Sequence, residues 1–119
     1  MMRATNTLLF DYIEMVSIKI KYIPEPILTQ LAVNEYNDWK YSYGYRFRYL
    51  TENSRPEILE RIKKNYIRHN LTNYDEILKE IKGLAGTGKV YPILKQKVMN
   101  RIDAEWSKRQ QSKQLLKAI

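Results

Sequence analysis

The chain has 119 residues, 44% of them hydrophobic, with 21 Lys and Arg against 13 Asp and Glu for a formal net charge of +8. That length fits one compact domain, and that apolar content excludes wholesale disorder. With no cysteine and one histidine, disulfides, thiolate zinc sites and a cysteine nucleophile are excluded, and neither a metal nor a cofactor is expected.

The opening stretch MMRATNTLLFDYIEMV has an apolar run broken by Asp11 and Glu14. It reads as neither a signal peptide nor a membrane span, so no membrane partner is expected and the cytoplasm is the default compartment. Residues 1–16 are an expected N-terminal extension, with Met15 as an alternative start. From Ser17 to Tyr22, Ile18, Ile20 and Tyr22 alternate with Lys19 and Lys21, the pattern of a short half-buried strand. Pro26 suits a helix start, and Leu28, Leu31, Ala32 and Tyr36 recur at helical spacing, which predicts a helix over 26–38.

The next stretch is the most informative. Aromatics occupy every odd position from 39 to 49 (Trp39, Tyr41, Tyr43, Tyr45, Phe47, Tyr49), interleaved with Lys40, Ser42, Gly44, Arg46 and Arg48. An extended backbone places the rings on one face and the cations on the other. Rings stack on unpaired bases and cations hold phosphates; equally, the rings are core and the cations face water.

Ser54-Arg-Pro-Glu57 predicts a capping box and a helix ending near His69 or Asn70. Ile58, Leu59, Ile62 and Tyr66 form its apolar face, and Arg61, Lys64 and Arg68 a basic stripe on another. Thr72-Asn-Tyr-Asp75 predicts a second capped helix that buries Tyr74, Ile77, Leu78 and Ile81 and stops at Gly83. The run Gly83 to Lys89 has the spacing of a phosphate-binding loop up to its Lys. However, Val90 stands where a magnesium-holding hydroxyl is needed and a helix precedes it instead of a strand, so a helix cap and connector is the better reading. Pro92 opens the last helix, with Leu94, Val98, Ile102 and Trp106 as its apolar face. Residues 107–119 form a basic C-terminal tail or helix extension.

Chemistry has little support. His69 lies close in sequence to Tyr74 and Asp75, but an acid–base site needs a geometry that spacing alone does not give. Bracing of the corner between two helices is the simpler role. The carboxylates are scattered among cations instead of converging for two-metal catalysis. No catalytic residue is assigned.

Ile67 to Leu78 resembles a domain family of undefined function, found in bacteria and fungi, whose motif is Arg-His-x-x-Thr-x-Tyr-Asp-x-x-Leu. The matching positions are Arg68, His69, Thr72, Tyr74, Asp75 and Leu78, and the likeness extends over roughly Tyr22 to Trp106. Gly44 is followed by Tyr45-Arg46-Phe47-Arg48, where that family has a second glycine. The resemblance implies a compact helix-rich domain and groups Arg68, His69, Thr72, Tyr74 and Asp75 as one constellation.

The expected fold is mainly α: about four helices over residues 17–106 as a single domain, with a small two-stranded element near Ser17–Tyr22 and Tyr45–Leu50; α+β is the alternative. The expected function is a nucleic-acid-binding accessory protein, for DNA or RNA, with Lys40, Arg46, Arg48, Arg61, Lys64 and Arg68 on phosphates and Tyr43 and Tyr45, with Tyr41, on bases. The alternative is a protein-interaction module docking an acidic protein in a larger assembly, such as an inhibitor or accessory subunit of a nucleic-acid-handling enzyme.

Overall fold

The computed structural model describes residues 2–44, 48–85 and 88–118, with side chains over 8–44, 48–84 and 88–113. Among these, five helices occur and no strand: α1 (Met2–Met15), α2 (Glu25–Ser42), α3 (Pro56–Asn70), α4 (Tyr74–Ala85) and α5 (Val90–Ala118). The mainly α class is therefore observed, with one helix more than expected. The chain gathers into two compact units, one formed by Met1–Tyr22 with Thr72–Ile119 and the other by Ile23–Leu71. The boundaries fall inside the span 17–106. Helix packing follows this division, since α1, α4 and α5 pack on one another and α2 packs on α3.

The extra helix is α1, in the stretch read as an extension. Leu9 and Ile13, one turn apart, are buried with Tyr74, Ile77 and Ile81 of α4 and Leu94, Val98 and Ile102 of α5. Asp11 and Glu14 do not interrupt the helix; they lie on its exposed side. Arg101 Nη1 donates to the Ile13 carbonyl at 2.6 Å, satisfying one of the acceptors that a helix end leaves open. Each fully buried aliphatic side chain in this cluster contributes about 1.5–3 kcal/mol through removal from water.

The segment after α1 keeps its predicted alternation, with Ile18, Ile20 and Tyr22 half-buried and Lys19 and Lys21 exposed. It makes no sheet. Its one ladder contact among the described residues is an isolated bridge from Ile20 to Thr72. Asn73 holds it instead, accepting from the Lys19 amide and donating to the Ser17 carbonyl, each at 2.9 Å. Of the expected partner strand, Tyr45, Arg46 and Phe47 lie outside the described residues, and Arg48 to Leu50 have no regular structure.

In the second unit, Ala32 and Val33 of α2 and Ile62 of α3 are buried together, flanked by Tyr36, Leu50, Leu59 and Tyr66. Asn37 fastens the returning chain by a double bond, donating to the Leu50 carbonyl at 2.9 Å and accepting its amide at 3.0 Å. Lys63 reaches Glu25 at 3.1 Å, and Asn70 donates to Glu35 at 2.8 Å. Helix α2 ends later than the sequence pattern suggested. Tyr43 and Gly44 donate to the carbonyls of Trp39 and Tyr41, and Gly44 takes φ 68°, a left-handed terminator that suits glycine.

Three predicted stop-and-start signals work differently. The Ser54 hydroxyl accepts from the Thr51 amide at 2.9 Å, closing the turn before α3, so Arg55 is the N-cap residue without a side-chain cap bond. Gly83 does not stop α4, which continues to Ala85. Thr72 is likewise not the N-cap of α4, which begins at Tyr74; its Oγ1 accepts from the Tyr74 amide at 3.2 Å and closes the turn that leads into the helix. Helix α5 carries the expected buried row Leu94, Val98, Ile102 and Trp106. It continues through the basic tail to Ala118, where Gln, Lys, Leu and Ala favour helix.

Candidate nucleic-acid interface

Among the described residues, the exposed rings and cations that the sequence pointed to are concentrated in the second unit. The aromatic run is not extended over Trp39 to Ser42; it is the last turn of α2. Rings at 39, 41 and 43 therefore do not share a face. Helical spacing instead aligns Tyr36, Trp39, Lys40 and Tyr43, which lie three and four residues apart. The Trp39 and Tyr43 rings are 5.4 Å apart between centroids and tilted by 54°. The Lys40 ammonium lies 5.1 Å from the Trp39 ring centroid and 5.6 Å from that of Tyr36, a cation–π arrangement. The rings are not core: Trp39 is 48% exposed, Tyr41 72% and Tyr43 67%.

This strip borders a groove of about 610 Å³. Tyr36, Trp39 and Lys40 line it from α2; Arg61, Tyr66 and His69 line it from α3. Ala32 and Ile62, both buried, also line it. Trp39, Arg61, Asn65 and His69 are exposed, and Tyr36, Lys40 and Tyr66 are half-buried. The acid in the lining, Glu35, accepts the Asn70 hydrogen bond.

Two of the three cations in the predicted basic stripe of α3 face solvent. Arg61, Lys64 and Arg68 line a second hollow along that helix, together with Glu57, Glu60 and Asn65. Arg61 and Lys64 are exposed, and among the described residues neither forms an ion pair. Their neighbour Lys63 is committed to acids, at 3.1 Å from Glu25 and 3.6 Å from Glu60. Arg68 departs from expectation. It is 9% exposed, with Nη1 donating to Asn65 Oδ1 at 3.5 Å and taking part in further interactions. A guanidinium so buried serves the packing of α3 more than an approaching phosphate.

Of the remaining predicted site residues, Arg48 is exposed, and Tyr45 and Arg46 lie outside the described residues. The motif constellation is distributed. His69 lines the groove of the second unit. In the first unit, Thr72 closes the turn before α4, Tyr74 is buried in the core at the start of that helix, and Asp75 is an exposed acid in its first turn. Tyr74 belongs to the packing, as does Arg68. Among the described residues no group of three or more acids or histidines is placed to hold a metal ion, and no helix is long and apolar enough to cross a membrane.

No family model, curated protein or solved structure matches the chain. The resemblance at Ile67–Leu78 therefore rests on its motif residues alone.

Sequence reasoning missed Tyr36, Asn65 and Tyr66 as members of a common surface. The signal was present: 36, 39, 40 and 43 on one helix and 61, 62, 65, 66 and 69 on the other each repeat every three or four residues.

Proposed function

We propose that this protein is a nucleic-acid-binding accessory protein that meets phosphates with exposed cations of its second unit, Arg48, Arg61 and Lys64, aided by Lys40. The observation that carries the reading is the pairing on one small unit of exposed aromatic rings with exposed cations, Arg61 and Lys64 foremost, which form no ion pair among the described residues. Cations placed this way gain affinity by releasing the counterions condensed on a phosphate backbone. The basic tail, with Lys108, Arg109 and Lys113 exposed on α5, adds to the attraction at longer range.

A second reading is a module that docks an acidic protein. Glu57 and Glu60 favour it, because they line the same hollow as Arg61 and Lys64 and would repel phosphates there. A mixed-charge surface suits a protein partner with its own alternating charges.

The test is fluorescence anisotropy of labelled single-stranded and duplex DNA and RNA, with the wild-type chain and with Arg48, Arg61 and Lys64 changed to Ala. Tight binding that the substitutions weaken supports the proposal, each residue reducing the salt slope by roughly 0.7–0.9. Absence of binding at low salt overturns it and leaves the acidic-partner reading.

A further inference from the structure

We infer that the groove between α2 and α3 seats an unpaired nucleobase, so that the ligand class is single-stranded nucleic acid. This rests on the nucleic-acid reading and deepens it. The groove, about 610 Å³, lies within the range that holds an organic group of base size or larger. Its lining combines three kinds of group. Ala32 and Ile62 are buried apolar residues; Tyr36, Trp39 and Tyr66 supply aromatic surface; Arg61 is an exposed cation. A base has a flat face for the rings, polar edges for side chains such as Asn65 and His69, and a phosphate on either side for cations. The apolar, aromatic, polar and cationic groups of the groove meet those demands together.

The strand must be single because a base in a duplex is stacked on both faces and paired at its edge, and reaches no side-chain groove without being flipped out. Stacking on rings is tolerant of sequence, since every base presents a π face. The ring strip continues beyond the groove through Tyr43, which packs against Trp39, so a neighbouring base has a second surface.

The chain holds two tryptophans, and Trp106 is buried at 7% exposure, so Trp39 is the ring a ligand can reach. The experiment titrates the full chain with oligothymidylate, oligouridylate and a duplex of equal length, following tryptophan emission and anisotropy together. Both single strands are expected to quench emission. Trp39→Ala is expected to weaken single-strand binding by about 5- to 100-fold while leaving duplex binding within about twofold, and Trp39→Phe to retain most of the affinity. Arg61→Ala is expected to weaken both forms. Circular dichroism of each variant confirms an intact helical fold. Equal loss of single-strand and duplex binding on Trp39→Ala, or no loss of either while salt-sensitive binding persists, overturns the base seat and leaves the nucleic-acid reading in place. Failure of the wild-type chain to bind any of the three overturns both.

Discussion

Replacing Ile13 with Ala should destabilise the first unit by about 3 kcal/mol. The side chain is 2% exposed and lies in the cluster shared by α1, α4 and α5. The substitution removes three carbons, at about 0.8 kcal/mol each for transfer to water, and leaves a cavity whose cost adds to that sum. The neighbour Glu14 is exposed on the same helix turn, and Glu14→Ala should change stability by no more than about 0.5 kcal/mol. Urea denaturation followed by circular dichroism measures both. With an m-value of about 1.5 kcal/mol/M, Ile13→Ala should lower the midpoint by about 2 M with m unchanged, whereas Glu14→Ala should leave it in place. Equal midpoints for the two variants would refute the placement of α1 in the core and restore the N-terminal stretch to the status of an extension.

Glycines give two opposite predictions. Gly83 lies inside α4 with open space where a Cβ would stand, so Gly83→Ala should stabilise by about 0.5–1 kcal/mol. Gly44→Ala should cost about 1–2 kcal/mol, because φ 68° is strained for any residue with a side chain. Both shifts are read from thermal or urea midpoints. Asn73→Ala should cost about 1–3 kcal/mol and loosen the segment after α1, since Lys19 and Ser17 lose their bonds together; amide exchange at Lys19 reports it. Tyr12 gives a pH prediction. Burial, then the hydrogen bond to Glu80 at 2.8 Å and the charge of that carboxylate, push its hydroxyl above the ordinary value of 10.0. A raised folded value means the folded chain holds the proton more tightly. The stabilisation is thus full below pH 10 and is lost as pH rises through the folded value. Tyr12→Phe should flatten that alkaline decline in a pH series of urea midpoints, and an unchanged decline would remove Tyr12 as its cause.

Much of the helical frame was legible because its signals are local. Pro26, Pro56 and Pro92 each stand in the first turn of a helix, and the row Leu94, Val98, Ile102 and Trp106 is buried as its spacing requires. Other errors trace to signals that fit two structures. Trp39 and Tyr43 lie four apart, which satisfies both an alternating strand and a helix; the helix wins because α2 propagates to Ser42 once Val33 and Tyr36 pack against α3. In α1, Asp11 and Glu14 looked like interruptions of an apolar run, although Leu9 and Ile13 already had the i, i+4 spacing of a buried stripe. Ser54 matched a capping box, but the tight turn from Thr51 competes for its hydroxyl. The burial of Arg68 was not legible at all. Nothing in a basic stripe at spacings of three and four distinguishes the cation that turns inward from the two that stay in water. The groove joins helices whose facing residues are some thirty positions apart, a separation across which periodicity says nothing about pairing.

The salt dependence of single-strand binding tests the central claim most directly. Three or four cations on phosphates, from Arg48, Arg61, Lys64 and Lys40, imply a slope of log affinity against log salt of about −2 to −3 for a single strand. Affinity for a single-stranded oligonucleotide should then fall about 20- to 50-fold between about 50 and about 200 mM salt. Binding that is absent at the lower salt, or that persists with a slope near zero, would contradict a phosphate-reading surface on this unit.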